Sequence, residues 1–200
     1  MNPNSDAELL EFLRTAVDRA RGYADFFLYA ADRDLEEWGI STALAESLHA
    51  QGASFFSNVS SRKRPNDPPD CEALDACGLR LAIEVTELVD GAAIQSAKRA
   101  RAEGRRTPWA DWSRQGFLTQ LNARLTAKDA VAPRLKGGPY PAGFVVVIHT
   151  DEPHLNRMVV AEYLADAQLT RLSHVSRAFL LLSYDPSIQR CPYLELPIAG

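Results

Sequence analysis

Two short acidic motifs carry the residues most suited to chemistry. Pro69-Asp70 closes a proline-rich loop, and Glu84-Val85-Thr86 lies inside the apolar stretch LRLAIEVTELV, residues 79–89. A tight turn at Cys77-Gly78 between them folds residue 70 back opposite about residue 85, which brings the two carboxylates side by side. Two carboxylates with the Val85 carbonyl beside them suit a hard divalent cation such as Mg²⁺ or Mn²⁺, which prefers oxygen ligands. A cation held there activates water and stabilises charge on phosphoryl and leaving oxygens. Glu84 has its own need for a partner, because a carboxylate flanked by Ile83 and Val85 in a buried strand is costly unless paired or metal-bound. An ion pair with Arg80 on the same strand face would also satisfy it. Asp70, following two prolines, also suits a turn or cap.

These residues need a scaffold. Leu9, Leu10, Leu13 and Val17 follow helical spacing and predict a helix over 5–22, capped by Ser5 or Asp6 and ended by Gly22. A second helical stretch runs from about Ala24 to His49, with a break near Gly39 and with Ile40, Leu44 and Leu48 on one face. Strands follow at 54–61, 70–76 and 79–89, and three prolines make residues 62–70 a loop. In the third strand Leu79, Leu81, Ile83 and Val85 share one face, and Arg80, Ala82, Glu84, Thr86 and Leu88 share the other. Helices are expected over 92–103 and 109–130, then a strand at 143–150 whose continuous apolar run marks burial on both faces. A helix at 156–167 and strands at 176–184 and 193–198 complete the order. The fold class is α/β, a mixed sheet with helices on both sides. Its 200 residues, 46% hydrophobic, fit a single domain, with N-terminal helices over 1–50 packed on an α/β core over 51–200.

The PD motif, the E-x-T strand, a preceding helix bearing Glu46 and the αβββαβ order over roughly 35–185 together resemble the PD-(D/E)XK, or restriction-endonuclease-like, nuclease superfamily. The resemblance implies a Mg²⁺- or Mn²⁺-dependent nuclease acting on DNA. Asp70, Glu84 and Val85 would hold metal, and Glu46 and Thr86 would assist. The family pattern places a lysine where this chain has Thr86. Lysines in this family also occur on neighbouring elements, and Lys98 is the favoured substitute here, with Gln115 as a polar residue holding phosphate or water. Lys128, far down the longer helix, is expected at the opposite end. If the chemistry is lost, the same fold would serve as a catalytically silent module for nucleic acid or a protein partner. A third reading is a partner protein of toxin–antitoxin type, whose acidic N-terminal helices mask the basic stretch.

Charge distribution bears on the partner. Residues 94–136 carry ten Lys and Arg against three acids, an excess of +7 within a chain of net charge −4, which leaves −11 elsewhere. Arg99, Arg101, Arg105 and Arg106 there, with Arg62, Lys63 and Arg64 before the proline loop, are candidate phosphate contacts. A solvated helix face paired with the acidic N-terminal half is the plainer alternative. Three cysteines form no even framework or CxxC pair, and no signal-like or bilayer-length apolar run is present, so the expected setting is cytoplasmic with no membrane partner. A homodimer is compatible with the resemblance, although no helix shows a coiled-coil seam. The loop HTDEPH, 149–154, lacks the ligand spacing of a zinc site. Trp109 and Trp112, beside arginines, would stack on bases or anchor a helix in the core. No GxSxG elbow and no glycine-rich phosphate loop is present.

Overall fold

The computed structural model describes residues 10, 11, 14, 23–27, 32–105 and 109–198. Alternating and continuous apolar runs form six strands: β1 (Phe56–Ser61), β2 (Cys71–Asp75), β3 (Arg80–Glu87), β4 (Phe144–Thr150), β5 (Arg177–Leu182) and β6 (Tyr193–Glu195). They make one mixed sheet in sequential order. β1, β2 and β3 are antiparallel, β3, β4 and β5 are parallel, and β6 returns antiparallel to β5. The β2–β3 turn is pinned by Asp75, whose Oδ1 accepts from the Cys77 and Leu79 amides, both at 2.8 Å. Gly78 supplies its left-handed position at φ +75°. Cys71 pairs with Ile83, so Asp70 comes opposite Glu84, one residue from the register expected.

Among the described residues, four α-helices flank the sheet: α1 (Arg33–Ala50), α2 (Gly91–Ala102), α3 (Arg114–Asp129) and α4 (Arg157–Leu164). Asp32, Asp90, Ser113 and Asn156 cap them by accepting backbone N–H bonds. One face of β3 turns Ala82 and Leu88 into a core shared with Phe117, Leu121 and Leu125 of α3. The other face turns Leu81, Ile83 and Val85 toward Ile40, Leu44 and Leu48 of α1. β4 is buried along its whole length, as its unbroken apolar run predicts. The α/β class and the mixed sheet flanked by helices are therefore observed.

Some boundaries differ from expectation. α1 begins at Arg33, where Asp32 caps it, and continues through Gly39 without a break. Packing of Ile40 and Leu44 on the sheet outweighs the cost of one helical glycine, about 1 kcal/mol. α3 starts at Arg114 rather than Trp109, because Ser113 Oγ caps the Gly116 amide at 3.1 Å. Trp109 and Trp112 therefore precede the helix. Trp112 packs on the core, while Trp109 is 61% exposed. The helix expected over 5–22 falls mostly outside the described residues. Among the described residues, no helix is long and apolar enough to cross a membrane.

The α3 stripe holds one layer of the fold in place. Leu121, fully buried against the sheet, is expected to cost about 2–5 kcal/mol when changed to alanine. Urea denaturation of Leu121→Ala beside the parent chain measures this.

Candidate active site

Asp70 and Glu84 meet where β2 begins beside the middle of β3. Both are buried, at 6% and 2% exposure. Asp70 Oδ2 accepts the Val85 amide at 2.8 Å. That bond crosses to the neighbouring strand rather than closing a turn or capping a helix, and it fixes the carboxylate against the strand that carries Glu84. The amide and carbonyl of one strand residue leave from the same edge. The Val85 carbonyl therefore faces the gap beyond the start of β2, where Asp70 sits.

A cation joins the pair. Lys128, near the end of α3, places Nζ 3.4 Å from Asp70 Oδ2 and donates a short hydrogen bond to Glu84 Oε2. This corrects the expectation that Lys128 lies at the far end of the molecule. α3 runs back along β3, because β4 is parallel to β3 and the chain must return. Arg124 Nε consequently donates to the Glu87 carbonyl at 3.0 Å, and one turn later Lys128 arrives over Glu84. Lys98, the favoured lysine, is exposed on α2 and contacts neither acid. Gln115 is exposed at the start of α3, with its Nε2 3.3 Å from Thr119 Oγ1. It stands about 20 Å along the helix axis from Lys128. Thr86 shares the face of Glu84 and is half-buried. Arg80 is not the partner of Glu84: it pairs with Glu72 at 2.7 Å and donates to the Gly137 carbonyl at 2.6 Å.

The helix acid also changes. Glu46 is exposed, because it lies two residues from Leu44, about 200° around α1. Glu37 lies seven residues before Leu44, about 20° out of line with it, and is buried toward Asp70. Its Oε1 is 2.5 Å from Arg33 Nε. Burial, with Asp70 nearby, pushes its carboxyl up to about 7 against the pull of Arg33. Burial raises Glu84 as well, Asp70 adds to the effect, and Lys128 opposes it. Lys128 and Glu37 share one readable signal: each extends a buried apolar stripe by seven residues, Lys128 from Leu121 and Glu37 toward Leu44.

Whether these residues fit a divalent cation turns on one atom. Glu84 Oε1 is buried and has no hydrogen-bond partner. A buried carboxylate oxygen without a protein partner is met by an ordered water or by a bound cation. Among the described residues no group of three or more His, Cys, Asp and Glu is arranged to hold a metal. The donor set is two carboxylates and a carbonyl, which fits Mg²⁺, since it is often held by one or two carboxylates and keeps several waters.

The other sequence candidates divide cleanly. Arg62 is half-buried and bonded to Glu72 at 2.8 Å, which removes it from the free cations. Lys63 and Arg64 are exposed, with Arg64 3.9 Å from Asp34 and Asp67. Arg99 and Arg101 are exposed on α2, and Arg105 is paired with Glu103. Arg106 lies outside the described residues. In the 149–154 loop, Asp151 accepts the Phe27 amide at 2.7 Å, and Glu152 accepts the Asp90 amide at 2.7 Å and the Tyr23 hydroxyl. These acids tie chain segments together. Comparison with protein-family models, curated proteins and solved structures finds no match, so the geometry carries the functional argument.

Two outcomes follow for the metal-free protein. Glu37 in the folded state keeps a proton that the unfolded chain releases near its ordinary 4.5, so its contribution to stability falls as pH rises from there through about 7. Glu37→Gln should flatten that part of the profile and raise the melting temperature at pH 8 by roughly 2–8 °C. Thermal melts in EDTA at pH 5 to 8 test it, and an unchanged slope would count against the buried-acid assignment. Lys128→Met should cost about 3–5 kcal/mol at pH 8 and less at pH 5, where protonation relieves the stranded acids. Chemical denaturation at both pH values checks that difference.

Proposed function

We propose that this chain is a Mg²⁺- or Mn²⁺-dependent nuclease of the restriction-endonuclease-like type, hydrolysing DNA phosphodiester bonds, with its lysine supplied by α3. The observation that carries the reading is the orphaned Glu84 Oε1, buried beside Asp70 with the Lys128 ammonium against both acids. The antiparallel β1–β3 meander leading through helices to parallel β4 supports the same reading.

When bound, the cation would lower the pKa of a water and offset charge on the phosphoryl group. Asp70, Glu84 and the Val85 carbonyl would hold it. The Val85 amide fixes Asp70, and the packed sheet fixes Glu84, so neither carboxylate has to be ordered on binding. Lys128 brings positive charge to the place where the acids converge, a role Thr86 cannot fill. Arg124 holds that turn of α3 against the end of β3. Glu37 adds a third carboxyl on the α1 side of Asp70. Lys63, Arg64 and Arg99 are among the exposed cations that would contact backbone phosphates.

One observation favours a second reading. Lys128 already neutralises the acid pair, so the cluster can stand as a buried ion triad in a silent nucleic-acid-binding module. Metal separates the two.

Incubation of plasmid and single-stranded DNA with Mg²⁺ or Mn²⁺ should give cleavage that EDTA abolishes. Glu84→Gln should lower it by more than about 100-fold, and Lys98→Ala should leave it unchanged. Cleavage that survives in Glu84→Gln would defeat the assignment. DNA affinity in EDTA should fall steeply with salt.

A further inference from the structure

A cleft of about 710 Å³ runs along α1 against the segment 184–191. That is within the roughly 300–1,000 Å³ of small-ligand pockets. Ser47 Oγ, donating to the Cys191 carbonyl at 2.8 Å, joins the two walls. Phe26, Trp38 and Tyr184 line it and remain 56, 39 and 43% exposed. The Phe26 and Tyr184 rings are nearly parallel, at 17°, with centroids 6.4 Å apart. Aromatic faces left open to water in a concave site are surfaces for a flat ligand.

The polar groups of the cleft are mixed in kind. Thr42 Oγ1 and Arg190 Nε are buried without hydrogen-bond partners, and both residues line the cleft, as does the exposed carboxylate of Glu46. The half-buried Arg190 guanidinium and the exposed Glu46 carboxylate give the cleft wall a donor and an acceptor, with the Thr42 hydroxyl beneath them. A nucleobase, a flat π-system with donors and acceptors around its edge, fits such a lining. An acyl chain would leave those groups unmet, and a bare phosphate would face Glu46.

α1 carries both the cleft lining, from Trp38 to Ala50, and the buried Glu37, whose carboxyl feels Asp70. We propose that this cleft receives an unpaired nucleobase of the strand engaged at the Asp70–Glu84 site, stacking it on Tyr184 and Phe26. The inference rests on the nuclease reading for its source of bases, and it makes an unpaired strand the preferred substrate. Stacking of one base on an aromatic side chain contributes about 1–3 kcal/mol.

The test uses the Glu84→Gln chain in EDTA, so that binding is read without cleavage. Anisotropy is measured with a fluorescent single strand, an abasic strand of equal length, and a duplex. Tyr184→Ala and Phe26→Ala, introduced separately, should each weaken single-strand binding about tenfold or more, with abasic and duplex binding unchanged. Met158→Ala, an exposed apolar side chain outside the cleft, should have no such effect. Equal single-strand affinity in the parent and both cleft variants overturns the proposal. So does competition-sensitive binding of dAMP alone without base-dependent strand binding. A change of oligomeric state in the cleft variants also overturns it, since the occupant would then be protein. Cleavage by the unsubstituted chain is read in parallel. Base-dependent binding without any cleavage would retain the cleft and defeat the nuclease reading, whereas cleavage with no effect of either cleft variant would do the reverse.

Discussion

Two carboxylates buried side by side cannot both stay ionised without a cation, and that constraint organises this molecule. Asp70 and Glu84 are placed together by the register of one hairpin, and the sheet shields them from water. Lys128 answers their charge from the opposite layer. The demand is only partly met, because one Glu84 oxygen stays without a partner and burial still holds the carboxyl above its ordinary range. A site in this condition has a standing preference for added positive charge.

The fold serves that constraint through direction. β3 and β4 are parallel, so the connection between them must travel back along the sheet. α3 is the returning element, and its buried stripe of Phe117, Leu121 and Leu125 sets its rotation. Rotation and direction together bring Arg124 to the Glu87 carbonyl and Lys128 to the acids. The helix thereby brings an ammonium to the strand acids. On the other side, α1 delivers Glu37 by the same logic, with Ile40, Leu44 and Leu48 fixing which side of the helix faces inward.

Much of this was legible in the residues. The apolar run of β4, the alternation of β3 and the turn at Cys77-Gly78 located the sheet and put Asp70 beside Glu84 within one residue. The paired acids needed no tertiary information, because a hairpin is a local structure. Lys128 and Glu37 were harder for a physical reason: each acts across layers, and the contact depends on where a whole helix lands. Seven-residue continuation of the stripes marks both positions, yet proximity along the chain favoured Lys98, and the family resemblance favoured Glu46. The start of α3 was missed because Trp109 and Trp112 read as helix anchors, while Ser113 held the stronger local signal.

The central claim is that Asp70 and Glu84 form a cation site. The most direct measurement is a calorimetric titration of Mn²⁺ into the unsubstituted chain and into Glu84→Gln. Saturable binding is expected in the first, lost or weakened by more than about tenfold in the second. Absence of binding in both, or equal binding in both, would contradict it and leave Lys128 as the permanent partner of a structural acid pair.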